Sequence, residues 1–460
     1  MVLPVEIFIE SLAYHGAGIG RLPDGRVVFV QNTAPGDQVH IQILENHERY
    51  AHAKATQILI PSQHRVDPSC PYHATCGGCP WQHLNYREQC LWKRRILIDT
   101  LRRIGGISDA SKYVDDMMIS ERTWGYRNKI ELEVGTTAQG MCLGYHPRQG
   151  NDLVAVESCR LLPRTFRDSP RRITGALSYA CREMVPDLVR VTIRVSEKTG
   201  DVAISLWTKP CRISRPLVAR VLNEAIRSTS ISRVIIDGTT KERKVKQVEV
   251  LAGRGYWRET IDGRNLKLSP PSFFQVNTPM AQLLVSAVLA ALVRAGIDRP
   301  AVVADLYAGA GTFTLPLAAR FNDVIAVESY GSSIRDLRRN LEDHELSADV
   351  IGGDVAREIA ELGAFDAAVI DPPRSGLSSQ ALAALTTAKP RCIVYVSCNP
   401  ATLARDLKAF MKAGYSLVNV KPIDLFPQTY HIESVSLLVE AKPPGKYKGH
   451  TFQGAKPSTR

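Results

Sequence analysis

Hydrophobic and polar positions alternate along the first sixty residues, and that alternation predicts short strands rather than helices. "VEIFIESLA" (5–13) reads as a strand, and "GIGRLPDGRVVFVQ" (18–31) reads as a hairpin turning at Asp24-Gly25, a dipeptide suited to a tight turn. "DQVHIQILEN" (37–46) and "RYAHAKATQIL" (49–59) add further alternating segments. About five strands in residues 1–60 predict a small OB-like barrel. Residues 61–265 begin with a cysteine-rich stretch and a basic helix, about 87–105, expected to pack on the C-terminal domain. "YRNKIELEV" (126–134), "LVRVTIRVSE" (188–197) and "VAISLWT" (202–208) then predict an antiparallel α+β domain. From about Leu266 the pattern changes. Apolar strands such as "VIAVES" (324–329) and "RCIVYVSC" (391–398) now alternate with helices. Such a run predicts a doubly wound, Rossmann-like α/β domain over 266–442. The chain is thus read as a multidomain α/β protein: N-terminal β-barrel, central α+β domain, C-terminal Rossmann-like domain, and a basic, disordered tail at 443–460.

The length of 460 residues accommodates roughly three domains. The longest apolar stretch, "LLVSAVLAALV" (283–293), is too short to span a bilayer and predicts a buried helix. The N-terminus lacks the basic segment of a secretory signal, so a cytoplasmic protein without a membrane partner is expected. The formal net charge is +12, and basic residues also cluster inside the chain in "REQCLWKRRILIDTLRR" (87–103). That balance favours a polyanionic partner, most simply nucleic acid. Of ten cysteines, three crowd into "CPYHATCGGC" as Cys70, Cys76 and Cys79, and Cys159 in "VAVESCRLLP" offers a fourth thiol. Four thiolates suit structural zinc or an iron–sulfur cluster, and the spacing does not choose between them. Cys90, Cys142, Cys181 and Cys211 lack such spacing and are assigned to packing.

The stretch "VVADLYAGAGTFTLPLAARF" (302–321) is a strand, a glycine turn at Gly309 and Gly311, and a helix. The third glycine of a dinucleotide fingerprint is absent, which disfavours a pyrophosphate ligand. Glu328 ends the next strand 19 residues after Gly309, where an acid can bind ribose hydroxyls. Asp354 and Asp371 end the third and fourth strands. A G-x-G turn, a ribose-binding acid and D-P-P after strand four, in that order, resemble class I S-adenosylmethionine-dependent methyltransferases.

"YVSCNP" (395–400) carries a thiol, Cys398, to the same sheet edge. Asn399 suits an N-cap and Pro400 the first helical position. A thiol at a helix N-terminus is expected to have its thiolate favoured. Cys392, inside the same strand, is assigned to the core. Methylation of oxygen or nitrogen needs no thiolate, but C5 of a pyrimidine does, because that carbon becomes nucleophilic only when sulfur adds at C6. A base must then remove the C5 proton, and Glu433 in "YHIESVSLLVE" (430–440) is the candidate.

"DPPRSG", "VSCNPATLARDL", "DLFPQTYHIESVSLL" and "FFQVNT" together resemble the RNA 5-methyluridine methyltransferase family over nearly the whole chain. The resemblance implies Cys398 as nucleophile and Glu433 as base. It implies Gln275, Tyr307, Glu328 and Asp371 as cofactor residues, with Thr312 and Asp354 as weaker candidates. "HGAGIGRLPDGRVVFV…APGDQV" resembles a TRAM domain, an RNA-binding β-barrel. The rRNA-directed members hold a [4Fe–4S] cluster on the Cys70, Cys76, Cys79 and Cys159 arrangement and often carry the barrel, whereas tRNA-directed members lack both. The implied substrate is therefore a uridine of 23S rRNA, modified by a monomeric enzyme, with Arg127 a candidate for positioning the extruded base. Cysteine-dependent 5-methylcytidine enzymes usually carry a cysteine after the proline of strand four. Here that motif is Asp371-Pro372-Pro373-Arg374, which favours uridine. A silent RNA-binding assembly protein is disfavoured by the presence of both Cys398 and Glu433.

Overall fold

The computed structural model describes residues 5–138, 140–148, 150, 152–180, 187–237 and 244–441. The expected tail at 443–460 and Cys181 lie outside the described residues. Six strands form the N-terminal sheet: β1 (Val5–Phe8), β2 (Ser11–Leu12), β3 (Gly18–Arg21), β4 (Val27–Gln31), β5 (Gln38–Asn46) and β6 (Tyr50–Ile60), in the order β1-β5-β6-β4-β3-β2. Its two edges, β1 and β2, are separated in sequence only by Ile9 and Glu10, so the sheet curls until its edges meet. Alternate residues (Ile7, Val28, Val30, Val39, Ile41, Ala51, Ala53) fill the interior. The hairpin expected at Asp24-Gly25 forms: Gly25 has φ +85°, and Asp24 Oδ1 accepts the Arg26 backbone N–H at 3.0 Å.

The central sheet contains β7 (Lys129–Thr137), β8 (Gly140–Tyr145), β9 (Val154–Ala155), β10 (Leu188–Val195), β11 (Val202–Thr208), β12 (Ser230–Ile236) and β13 (Val245–Gly253). Their order is β13-β12-β11-β10-β7-β8-β9, and only β11 and β12 pair in parallel. Helices Ser169–Ala180 and Arg215–Ala225 pack into its core through Ile173, Leu177, Val218 and Leu222. The hairpin β14 (Trp257–Ile261) and β15 (Arg264–Leu268) leads into the C-terminal domain.

The C-terminal sheet has β16 (Val302–Leu306), β17 (Asp323–Glu328), β18 (Asp349–Gly352), β19 (Ala367–Ile370), β20 (Cys392–Ser397), β21 (Tyr415–Ile423) and β22 (Glu433–Glu440), in the order β18-β17-β16-β19-β20-β22-β21. Strands β16 to β20 are parallel, and β22 runs antiparallel to both its neighbours. The sheet is buried on both faces, which is why its strands read as continuous apolar runs. One face is covered by Thr278–Arg294 and Gly331–Asp343. The other is covered by Ser379–Ala388, Pro400–Lys412 and the early helix Tyr86–Arg103. The expected buried helix at 283–293 lies within Thr278–Arg294, presenting Leu284, Val285, Val288, Ala291 and Leu292 to the core. Among the described residues, no helix is long and apolar enough to cross a membrane.

Helix Tyr86–Arg103 is capped by Asn85, whose side chain accepts the Glu88 N–H at 2.9 Å. Its inner face carries Trp92, Ile96, Leu97 and Leu101, and also two fully buried polar residues. Lys93 Nζ reaches Asp424 Oδ1 at 2.6 Å and the Phe426 carbonyl at 3.0 Å. Gln89 donates to Gln428 Oε1 at 3.0 Å and accepts the Gln428 N–H at 2.8 Å. The chain after the helix was not expected here: residues 113–118 run along the free edge of β21, with Val420 N–H donating to the Tyr113 carbonyl at 2.7 Å. An exposed strand edge invites pairing, and this segment covers it.

Removing one partner of a buried ion pair strands the other charge, so Lys93→Met should lower stability by about 3–5 kcal/mol. Urea unfolding should show that loss, with most of it recovered in Lys93→Met/Asp424→Leu. A loss under about 1 kcal/mol, the scale of a solvated surface pair, contradicts the pairing.

Candidate active site

Strand order reverses between β16 and β19, and the crevice at such a switch point is where open α/β sheets bind ligands. β16 runs directly into Tyr307 (φ +69°), Gly309 (φ +58°) and Gly311 (φ +102°). The Tyr307 and Ala308 N–H groups both donate to the Val327 carbonyl at 3.0 Å. A Cβ on Gly311 would come within 2.4 Å of Leu315, whereas one on Gly309 would meet nothing within 4 Å. The turn therefore packs tightly behind and opens in front, leaving room for a ligand against Gly309.

Glu328 is buried beneath this turn. Its carboxylate accepts N–H groups from Gly309 (2.8 Å), Ser329 (2.7 Å) and Tyr330 (2.7 Å). Asp305, which sequence reasoning passed over, is fully buried in β16. One oxygen accepts the Thr314 hydroxyl at 2.5 Å, and the other has no partner. Its signal was an acid inside an otherwise apolar strand. Asp371 follows β19. Burial pushes the Asp305 and Asp371 carboxyls up to about 7, with Glu328 adding to the first and Asp305 to the second. The crevice is thus lined by acids beside a turn that is open in front, and a positively charged, hydroxyl-bearing ligand such as S-adenosylmethionine fits it. Gln275 is buried, with its carbonyl accepting from Asn128 Nδ2 at 2.8 Å. Thr312 lies half-buried on the glycine turn. Asp354 is exposed and caps helix Val355–Glu358, accepting N–H groups from Ala356 and Arg357.

Cys398 follows β20, and Asn399 caps helix Pro400–Lys412 by accepting the Ala401 N–H at 3.0 Å. Asn399 Nδ2 and the Thr402 hydroxyl both donate to the Arg374 carbonyl, tying this loop to the one after Asp371. Buried Asp406 supports both loops, accepting the Leu377 N–H at 3.0 Å and the Tyr395 hydroxyl at 2.7 Å. Glu433 opens β22. The β20–β22 register pairs Val396 with Val435 and Ser397 with Ser434, so the next step along the ladder sets Cys398 opposite Glu433. Glu433 is 3 % exposed, and burial with the Asp371 charge raises its carboxyl well above the ordinary range, against Arg374.

The expectation that the helix N-terminus favours the Cys398 thiolate does not hold. Burial comes first, then the charges of Glu433 and Asp371, and together they push the thiol up to about 12 against Arg374. The partial charge of a helix end is the weaker influence beside two carboxylates and lost hydration. Cys392 is fully buried, as expected of a core residue.

Cys70, Cys76, Cys79 and Cys159 gather at one end of the central sheet. The Gly78 N–H points at Cys76 Sγ (3.4 Å), and the Tyr145 hydroxyl at Cys159 Sγ (3.6 Å). Burial raises the Cys70, Cys76 and Cys79 thiols, and neighbouring thiols of the set add to this. Even so, among the described residues no group of three or more His, Cys, Asp or Glu side chains is disposed to hold a metal ion. The four sulfurs of the expected ligand set lie close enough for their charges to act on one another. Arg127 lies beside this set. Its Nε lacks a partner, and its side chain lines a cavity of about 450 Å³ with Asn128, Glu259 and Thr278 that does not include Cys398. The acids, the glycine turn and the thiol locate the chemistry here, not cavity size.

A doubly wound sheet with this reversed last strand, and an acid-lined glycine turn at its switch point, defines a class I S-adenosylmethionine-dependent methyltransferase. The chain belongs to the RNA uracil-5-methyltransferase family: the tRNA (uracil-5-)-methyltransferase model matches residues 219–441, and the TRAM domain model matches residues 4–56. It is 33 % identical over 449 residues to an RNA methyltransferase of Gloeobacter violaceus described as uncharacterized, covering 94 % of this chain and 96 % of that one. A similarly described protein of Caldanaerobacter subterraneus is 33 % identical over 453 residues, covering 94 % and 97 %. The solved Pyrococcus abyssi tRNA (uracil-54, C5)-methyltransferase, in complex with S-adenosyl-L-homocysteine, superposes with a TM-score of 0.75 at 26 % identity, covering 95 % of this chain and 99 % of that one.

Because a raised thiol keeps its proton through neutral pH, iodoacetamide should alkylate Cys398 slowly in the free enzyme. Peptide mass spectrometry should find the rate still climbing at about pH 10, with the profile displaced downward in Glu433→Gln. A plateau by about pH 8.5, the range of an ordinary thiol, contradicts the assignment.

Proposed function

We propose that this enzyme methylates C5 of a uridine in RNA through a covalent bond between Cys398 and C6 of the base. Cys398 first gives up its proton to water, as positive charge entering beside Asp371 offsets the carboxylates. The thiolate adds to C6, and C5, now carrying the electron pair, attacks the methyl group. Bound S-adenosylmethionine supplies that methyl group as an electrophile. The Glu433 carboxylate then takes the C5 proton, the C5–C6 double bond re-forms, and Cys398 leaves as thiolate. A carboxylate raised by burial is a stronger base than a solvated one, which suits a carbon acid. The observation that carries this reading is the β20–β22 register, which ends at Ser397–Ser434 and so brings the next residues, 398 and 433, side by side. Gln275, Tyr307, Glu328 and Asp371 are proposed to hold the cofactor, with Thr312 and Asp354 at its margin.

The proposed target is 23S rRNA, on the strength of the barrel and the cysteine pattern. A tRNA target is the second reading, favoured by one observation: the match to the Pyrococcus tRNA enzyme covers 95 % of this chain. The uncovered twentieth is shorter than the barrel, so a barrel does not separate the two RNA classes. Cys70, Cys76, Cys79 and Cys159 are proposed to bind a [4Fe–4S] cluster with a structural role, since methyl transfer needs no electrons. Anaerobically purified protein should then contain iron and sulfide, and finding zinc would overturn that proposal.

Labelled S-adenosylmethionine with unmethylated rRNA or tRNA should yield 5-methyluridine in one of them. Neither RNA accepting label would sink the activity. Cys398→Ala should abolish both product and adduct. Glu433→Gln should accumulate an adduct that survives denaturing electrophoresis, and normal turnover of that variant would remove Glu433 from the base role.

A further inference from the structure

The N-terminal barrel reaches the catalytic crevice through the loop between β2 and β3. The loop turns at Ala13–Gly16, with the Gly16 N–H donating to the Ala13 carbonyl at 2.9 Å. Gly16 has φ +88°, and a Cβ there would sit 2.8 Å from Trp81 Nε1 and 3.2 Å from the Tyr430 ring. Only glycine allows so close an approach. Trp81 Nε1 points at the Gly16 carbonyl (3.4 Å), and the Trp81 backbone N–H donates to the Gln428 carbonyl at 3.0 Å. The loop is therefore clamped to the segment that leads into Glu433.

Tyr14 sits at the tip of this loop. It packs with the core on the C-terminal sheet, not with the barrel interior. Its ring lies 6.0 Å from Tyr430, edge-on at 77°, and 4.7 Å from His15. Tyr430 in turn lies 4.6 Å from His431. Burial raises the Tyr14 hydroxyl to about 12. The charge of Cys398 adds to this, Arg374 opposes it, and Tyr430 and Glu433 contribute further. The hydroxyl thus lies within electrostatic reach of thiol, carboxylate and guanidinium, and it keeps its proton as a donor through neutral pH.

We infer that Tyr14, delivered from the N-terminal barrel, walls the pocket that receives the extruded uracil and donates its hydroxyl to a carbonyl oxygen of the base. The inference rests on the reading of Cys398 and Glu433 given above. An extruded base loses its stacking neighbours, and an aromatic side chain replaces them. Sulfur addition at C6 moves electron density through C5 onto the C4 carbonyl oxygen, where a fixed donor stabilises it. The barrel would then complete the active site as well as hold RNA.

Two experiments on the full-length protein test this, both using the RNA that the wild type methylates. In the first, 4-thiouridine replaces the target uridine and the complex is irradiated. The crosslink is expected on the tryptic peptide ending at Arg21, in the wild type and in Cys398→Ala alike. A crosslink without any covalent adduct in the wild type would count against Cys398 as nucleophile, not against Tyr14. A crosslink confined to other peptides overturns the inference. In the second, adduct formation is timed in a single turnover at saturating RNA. Tyr14→Ala should slow it by about tenfold or more with RNA Kd changed by less than about threefold, and Tyr14→Phe, which keeps the ring, should recover part of the rate. A purely structural clamp would lower Tm or weaken RNA binding while leaving that rate unchanged, and this result also overturns the inference.

Discussion

The site depends on one strand running the wrong way. β22 inserts antiparallel between β20 and β21, so its first residue lies at the carboxyl end of the sheet, beside the last residues of β20. Were β22 parallel, Glu433 would start at the opposite end of a six-residue strand, about 20 Å from Cys398 at roughly 3.3 Å per residue. The antiparallel insertion also obliges residues 424–432 to cross above the carboxyl edge before β22 begins. That crossing segment is irregular, and it is held from outside. Lys93 and Gln89 fasten it from the early helix, Trp81 from the cysteine-rich stretch, and the Tyr126 hydroxyl donates to the Pro427 carbonyl at 3.0 Å. Parts of the chain remote in sequence thus position the proposed base.

The second constraint is charge. Asp305, Asp371 and Glu433 share a poorly hydrated region in which Arg374 is the cation acting on Glu433 and Cys398. Each acid is pushed toward its neutral form, and the thiol is held protonated. Such a site is poised rather than active: it gains when positive charge enters beside Asp371, and it discourages a free thiolate from reacting before substrate arrives. The same electrostatics that make Cys398 a reluctant thiolate make Glu433 a capable base. A nucleophile and a base with opposed requirements can share one pocket on those terms.

Much of the architecture was legible because it is local. The turn at Asp24-Gly25, the apolar parallel strands, the glycine turn at Gly309 and Gly311, and the cap at Asn399 each announce themselves within a few residues. The small barrel and the doubly wound domain followed from those patterns, and the TRAM and methyltransferase readings from the motifs they resemble. What was not legible is non-local. Residues 113–118 give no sign that they will cover β21. The partnerless oxygen of Asp305 depends on how neighbouring elements close over it, and the reach of Tyr14 on an element hundreds of residues away. The Cys398 thiol was misjudged for the same reason. A helix N-terminus is visible in "SCNP", but the carboxylates that outweigh it arrive from positions 371 and 433. The four cysteines show another limit, since their spacing left zinc and iron–sulfur both open and the folded chain brings them together without choosing between the two.

In the proposed mechanism Cys398 attacks a uridine, and Glu433 then removes its C5 proton. RNA carrying 5-fluorouridine at the target position tests it most directly, because fluorine replaces the proton the base must take. With S-adenosylmethionine present, tryptic mass spectrometry should find Cys398 joined to a methylated fluorouridine nucleotide in a stable one-to-one complex. A complex attached through any other residue, or methylated RNA released with no covalent species, would contradict it.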